Sequence, residues 1–388
     1  MRIGLIGPVP PELGGATPGG VATHQAYLAR GLAAAGVDAP LLATNAPSGV
    51  GHGWTGLAHL PRYALGMARE RSLGSRREVV RNLLWYRHFL AAVRPDLIHV
   101  QHPLERCAYA RKVVRLEGLN VPMVVTAHSL FGEHSDQVIH GLMAPNLRAA
   151  DRVIAVSDHI AEQARSLGVN RDQITVIRSG VDTERFQPRE RSVARRRLGL
   201  EDGFKVILFV GNLEPRKQVD LLLSALARLR HHVPHLLALV VGSGENAGVH
   251  DQTARLSALA SELQLQSTVR FLGRVDDERL QDAYAAADVF ALPSSSEAQG
   301  IVALEAMACA LPVIATAVGG LIGTIRNGDT GFLVPSGDVD ALAERLLTVL
   351  CDQALRDRIG RAARQAVERD FSWQRCVEAT MAVYRDVL

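Results

Sequence analysis

The stretch that most constrains this chain runs from Asp288 to Leu333 and reads DVFALPSSSEAQGIVALEAMACALPVIATAVGGLIGTIRNGDTGFL. Its apolar run Val289–Leu292 stops at Pro293 and a serine cluster, the pattern of a buried parallel strand running into a loop. After Gly300, Ile301, Leu304, Met307 and Ala308 recur at helical spacing, so a helix begins beside that loop. A second apolar run, Val313–Ala315, follows Pro312, and Gly319-Gly320 then open another turn. Strand, loop, helix and strand in this order place helix N-terminal amides at the carboxyl edge of a parallel sheet, where anions and ligands are bound.

Two acids stand in this unit, Glu297 in the loop and Glu305 on the helix, with seven residues between them. The amides at Gly300, Ile301 and Val302 suit a phosphate. A carboxylate one or two turns further can accept from both hydroxyls of a ribose or sugar diol. The plainer reading is a helix-start acid and a solvated face residue, and for an isolated pair of glutamates it would win.

The rest of the chain repeats the strand and helix alternation. Apolar runs at Arg2–Ile6, Ala39–Ala43, Leu97–Val100, Met123–Thr126, Arg152–Val156 and Ile174–Ile177 predict one doubly wound parallel sheet. Runs at Lys205–Val210, Leu237–Val241, Val269–Leu272, Val289–Leu292 and Val313–Ala315 predict a second. A chain of 388 residues accommodates two such domains. They are placed at 1–180 and 181–370, with a final helix near 371–388 crossing back to the first. The linker, from Arg178 to Asp202, holds a charged helix whose Arg195–Arg197 run reads as surface. The cysteines Cys107, Cys309, Cys351 and Cys376 have no metal or disulfide spacing, which indicates reduced thiols. No apolar run reaches membrane-span length, so the expected location is cytoplasmic.

Charge is unevenly distributed. Residues 1–180 carry 19 Lys/Arg against 13 Asp/Glu and residues 181–388 carry 24 against 27, for an overall net of +3. The excess lies between Arg62 and Arg94, with Leu83, Leu84, Trp85 and Phe89 interleaved. This segment, 62–94, offers a peripheral contact with the inner face of an anionic membrane; the competing reading is an ordinary solvated helix face. Nucleic acid is not an expected partner, given the near-neutral balance and the absence of a recognition motif.

Further polar residues fall at predicted strand ends. Arg216 and Lys217 precede a helix with Val219, Leu222, Leu226 and Leu229 on one face, and two cations there would neutralise a diphosphate leaving group. Gly19-Gly20 open a helix with Val21, Tyr27, Leu28 and Leu32 on its apolar side. The segment lacks G-x-G-x-x-G, so a dinucleotide fold is not indicated. His128 follows the strand Met123–Thr126, whereas His99 and His102 read as loop residues or acceptor-side contacts.

Taken with its surroundings, PSSSE–GIVALEAMACALPVIAT–VGG resembles the donor-site signature of the retaining glycosyltransferase family 4, the glycosyl transferases group 1, whose members adopt the GT-B fold. That resemblance implies two Rossmann-like α/β domains facing across a cleft, the first for an acceptor and the second for a nucleotide-sugar donor. It implies Glu305 on the donor ribose, Glu297 on the sugar and Lys217, with Arg216, on the phosphates. Gly19, Gly20 and His24 would face the diphosphate, His128 the reaction centre, Gly242 a glycine turn and Arg274 the nucleobase. The expected activity is metal-independent sugar transfer with retention, from a UDP- or GDP-linked donor to a hydroxyl acceptor in glycan biosynthesis, with no cofactor. A nucleotide-sugar-binding subunit without turnover, or an epimerase or phosphorylase on the same fold, is the alternative. Asn212, Gln299, Ala310 and Gly323 depart from the family's usual residues.

Overall fold

The computed structural model describes residues 1–10, 19–44, 62–63, 76–131, 136–244 and 252–388. The first sheet contains β1 (Ile3–Gly7), β2 (Leu41–Ala43), β3 (Arg62–Tyr63), β4 (Leu97–Gln101), β5 (Met123–Ala127), β6 (Arg152–Ala155) and β7 (Ile174–Val176) in the order β3-β2-β1-β4-β5-β6-β7. The second contains β8 (Lys205–Val210), β9 (Leu236–Val241), β10 (Val269–Gly273), β11 (Val289–Leu292), β12 (Val313–Thr316) and β13 (Phe332–Val334) in the order β10-β9-β8-β11-β12-β13. All the pairings are parallel. The strands are short and mostly buried along their length because helices cover both faces of such sheets.

Each sheet starts with an inner strand, adds the next two strands on one side and then reverses. The reversal falls between β1 and β4 in the first sheet and between β8 and β11 in the second. Loops leaving adjacent strands on opposite sides of that point diverge and leave a crevice at the carboxyl ends.

The chain divides into two compact units, Met1–Gly180 with Trp373–Leu388, and Val181–Ser372. The last helix, Trp373–Val387, therefore belongs to the first unit, where it packs on the helix Gly20–Ala34. Gly31 permits that approach: a Cβ added there would lie 2.3 Å from Val377 Cγ2. Tyr27 stacks on Trp373, ring centroids 4.8 Å apart. The core side of Gly20–Ala34 carries Ala22, Ala26, Leu28, Ala29 and Leu32, while Val21 and Tyr27, expected there, are half-buried.

Several other expectations change. Strands β3 and β13, two and three residues long, are too short to announce themselves. In the helix Arg76–Val93, Phe89 faces the core with Tyr86, so the exposed apolar residues beside Arg81 and Arg87 are Val80 and Leu84. Arg69 and Arg71 lie outside the described residues. Among the described residues no helix is long and apolar enough to cross a membrane.

Arg195, read as surface, is only 2% exposed. It donates to the carbonyls of Ala286 (3.1 Å), Asp202 (2.5 Å) and Phe204 (3.0 Å) and pairs with Asp288 Oδ2 at 3.1 Å. Asp288 also accepts from Val206 N at 2.7 Å and from Arg191 at 2.5 Å. A buried guanidinium is tolerated here because its donors are met by carbonyls and a carboxylate. Arg195, with Arg191, thus anchors the helix Arg191–Arg197 to the amino ends of β8 and β11, while Arg196 and Arg197 are exposed as expected.

Candidate functional site

In the second unit the polar residues singled out from the sequence gather at the carboxyl ends of β8 and β11, the two strands flanking the reversal. After β8 the chain makes a tight turn, Pro215–Lys217, and Gln218 takes a left-handed φ of +46° before the helix Val219–Leu229. After β11 it turns at Pro293 and runs through Ser294 to Glu297. Lys217 Nζ donates to Glu297 Oε1 at 2.5 Å, both side chains being more than nine-tenths buried. Ser294 Oγ donates to the same oxygen at 2.9 Å, and Thr316 Oγ1, at the end of β12, donates to the Ser294 carbonyl. Burial pushes the Glu297 carboxyl up, but the Lys217 ammonium outweighs it, helped by Arg216 and Ser294, and holds the group below its ordinary value. Glu297 is therefore ionised at neutral pH.

The backbone around this pair is held by close contacts. The Glu297 carbonyl accepts from Gly320 N at 2.9 Å, and a Cβ on Gly319, whose φ is +50°, would lie 1.9 Å from that carbonyl oxygen. Gly300 caps the helix Ile301–Ala308 with φ +84°, and its own added Cβ would meet Leu321 Cδ2 at 2.5 Å. The first-turn amides, at Ile301 and Val302, stand at the loop that carries Glu297. Gly242, after β9, has its missing Cβ 1.9 Å from the Gly211 carbonyl oxygen, so the β8 and β9 turns touch through backbone alone. Asn212 Nδ2 and Arg216 Nε bind the two oxygens of Glu214, at 3.0 and 2.8 Å. Arg274 is exposed just past β10.

Glu305 has a different setting. It is half-buried, and its carboxyl end accepts from Tyr284 Oη at 2.8 Å through Oε2. Burial raises its pKa to about 7, against the Tyr284 hydrogen bond and the Arg185 charge; Asp277 adds to the rise. Ala310, where the family resemblance expects glycine, has φ +56°, a region strained for alanine.

In the first unit the corresponding strand ends carry neutral groups. His99 lies within β4, opposite Leu5 of β1, and is fully buried, which corrects its reading as a loop residue. Its Nδ1 is 2.6 Å from Tyr384 Oη and its Nε2 2.7 Å from Thr126 Oγ1. His128 Nε2 lies 2.8 Å from Gln101 Oε1, which makes Nε2 the protonated nitrogen. His24, one turn beyond Gly19-Gly20, bonds Ser179 Oγ at 2.9 Å, and its ring is edge-on to His128 at 4.8 Å. Burial lowers His24 to about 4; burial and His24 lower His99 to about 3. His128 falls well below its ordinary value through burial and then its histidine neighbours and Arg106. His102 has φ +83° and bonds Ser129 Oγ at 3.1 Å. Gln101, Ser179, Tyr384 and Tyr284 were invisible to sequence reasoning, because their partners are remote in the chain.

Two doubly wound units, each with polar residues at its strand reversal, define the GT-B architecture. Residues 190–366 match the family model described as Glycosyl transferases group 1, and residues 18–185 match Glycosyltransferase Family 4. A D-inositol 3-phosphate glycosyltransferase of Nocardioides sp. (strain ATCC BAA-499 / JS614) is 33% identical over 77% of this chain and 75% of that protein. The first four relatives of that name are 36–37% identical, and the matches span 57–65% of those proteins' lengths, about three-fifths. Sucrose-phosphate synthase from Thermosynechococcus elongatus is 27% identical, with TM-score 0.86 over 100% of this chain and 99% of that one. HepE of Anabaena, solved in complex with UDP-glucose, is 21% identical with TM-score 0.82 over 100% of both chains, a likeness of fold. The chain belongs to glycosyltransferase family 4 and has the GT-B fold.

Proposed function

We propose that the protein transfers a sugar from a nucleotide diphosphate sugar to a hydroxyl acceptor, with retention of configuration and no essential metal. The observation that carries this reading is the buried Lys217–Glu297 pair at the β8/β11 reversal, with Glu305 in the second turn of the helix Ile301–Ala308 that follows. Glu305 accepts from the donor ribose, Lys217 and Arg216 take the charge that develops on the departing diphosphate, and the first-turn amides at Gly300, Ile301 and Val302 add to it. Glu297 keeps the ammonium in place and presents its second oxygen to the sugar. His128, neutral at working pH, supplies a hydrogen-bonding nitrogen rather than a charge, and Gly19-Gly20 let backbone approach the donor closely. The second unit is the donor-binding one and the first takes the acceptor.

UDP-glucose is the first donor to test, since HepE was solved with it. Relatives named for inositol 3-phosphate and sucrose-phosphate make a phosphate-bearing polyol or sugar the first acceptor to test. A thermal-shift screen against UDP, GDP, ADP and their sugar conjugates, with chelator present, tests the reading. One nucleotide at a hundredfold excess over its dissociation constant should add about 2.7 kcal/mol of stability, and the gain should vanish in Glu305→Ala. Absence of any response would contradict the donor site, whereas stabilisation by a nucleotide without transfer to any acceptor would favour a nucleotide-sugar-binding subunit without turnover.

A further inference from the structure

Glu305 is the residue on which the donor reading turns, yet its surroundings are not those of a solvated helix acid. Its Oε2 accepts from Tyr284 Oη at 2.8 Å. Tyr284 lies on the helix Asp277–Ala286 and is 1% exposed; its ring is edge-on to Phe186 at 5.7 Å and tilted against Phe290 at 5.9 Å. Phe186 is in turn fixed from below, because Arg364 donates to the carbonyls of Phe186 (2.8 Å), Ala308 (2.6 Å) and Thr183 (3.1 Å). That guanidinium ties the segment Thr183–Phe186 to the end of the helix bearing Glu305. The neighbouring Arg185, 4.9 Å above the Phe186 ring, binds Asp277 Oδ1 through Nε at 2.8 Å. This packing holds the phenol in place, and its hydroxyl lies 2.8 Å from Glu305 Oε2 and 3.4 Å from the Val302 carbonyl oxygen, so the carboxylate is the nearer of its two acceptors.

We propose that Tyr284 is a positioning residue for donor binding: its hydroxyl fixes the Glu305 carboxylate so that Oε1 and the open side of Oε2 face the ribose diol. This rests on the donor reading of Glu305 given above. A carboxylate with one oxygen already engaged cannot swing away, so less rotamer freedom is lost when the nucleoside arrives. The charged groups facing Glu305 then set the pH range of binding. Burial alone favours the protonated acid; the Tyr284 hydroxyl and the Arg185 guanidinium favour the carboxylate, and Asp277 opposes it. Cys309, the C-cap of the same helix, is itself pushed up to about 12 by burial and the Glu305 charge, so it stays a neutral thiol. Since only the carboxylate accepts from both hydroxyls, donor affinity falls as pH drops through about 7.

The test is calorimetric titration of whichever of UDP-, GDP- or ADP-glucose binds wild type most tightly, from pH 5.5 to 8.5. Their diphosphate diesters do not titrate in that range. Tyr284→Phe should weaken binding about tenfold at neutral pH, the effect of losing one hydrogen bond to a charged group. It should also move the acidic limb of the binding curve up by about one unit. Arg185→Gln, which leaves the aromatic packing in place, should move the limb the same way. A Tyr284→Phe protein that binds more weakly but keeps the wild-type limb has lost only packing, and overturns the proposal, as does an unmoved limb in Arg185→Gln. Glu305→Gln separates the two claims: if it binds donor like wild type, with the acidic limb intact, the ribose assignment itself fails.

Discussion

The two units share a topology but put opposite chemistry at the same place. In Val181–Ser372 the strand reversal carries an ammonium, a carboxylate held below its ordinary pKa and a second carboxylate raised to about 7. In the first unit the equivalent edge carries His24, His99 and His128, all buried and all pushed toward the neutral form. The doubly wound sheet thus supplies a crevice, while the charge placed there decides what that crevice can stabilise. A diphosphate leaving group needs fixed positive charge, available in the second unit. On the proposed reading a neutral hydroxyl acceptor would meet uncharged imidazoles in the first unit, with Arg106 close enough to His128 to help keep that ring neutral.

The largest effect should follow from removing that positive charge. Lys217→Ala should lower turnover by about 10²–10³, as loss of a donor to developing negative charge does. It should also cost about 3–5 kcal/mol in urea unfolding, because Glu297 is left buried without its partner. His128→Ala, with no charge to strand, should cost clearly less stability; equal losses would remove the contrast between the units.

Backbone contact gives a second contrast. Gly319→Ala drives a Cβ into the Glu297 carbonyl, whereas Gly19→Ala meets nothing within 4 Å. The former should lose more than about 2 kcal/mol. The latter should leave the melting temperature within error while weakening donor binding, if Gly19 lies against the diphosphate; differential scanning calorimetry with and without UDP-glucose reads both.

Acid should act on the two units in opposite directions. The histidines have depressed pKa values, so the stability they contribute is present above about 6.5 and drains as pH falls toward about 4. Glu305 has a raised value, so its contribution is complete below about 4.5 and lost as pH rises through about 7. Trp54, Trp85 and Trp373 all lie outside Val181–Ser372, so tryptophan fluorescence follows the first unit alone. Between pH 7.5 and 5 the urea midpoint by fluorescence should fall further than the midpoint followed by an amide-exchange probe in β8–β11. The smallest effect expected is from Thr316→Val, which removes one hydrogen bond to the Ser294 carbonyl and should cost about 1 kcal/mol by urea unfolding.

What could be read from the sequence was whatever is local. The run Val289–Leu292, the glycine at 300 and the helical spacing after it located strand, cap and helix within a few residues, and with them Glu297 and Glu305. Pairings across the chain left no such trace. Lys217 meets Glu297 across 80 positions and His99 meets Tyr384 across 285. Arg195 looks like a surface residue in any window, because its partners Asp202, Phe204, Ala286 and Asp288 are assembled only by the sheet. His99 falls inside the predicted run Leu97–Val100, yet its burial could not be read there, because the groups that satisfy its ring, Tyr384 and Thr126, are remote in the chain. The alternation of short strands and helices revealed the architecture; the side-chain networks needed the fold.

Hydrogen–deuterium exchange with and without saturating UDP-glucose tests the central claim most directly, because it needs no acceptor. Protection should appear at the turns after β8 and β11, in peptides spanning 211–218 and 294–305, and should be lost in Lys217→Ala. Protection confined to the first unit, or unchanged by loss of Lys217, would contradict the assignment of the charged strand reversal as the donor site.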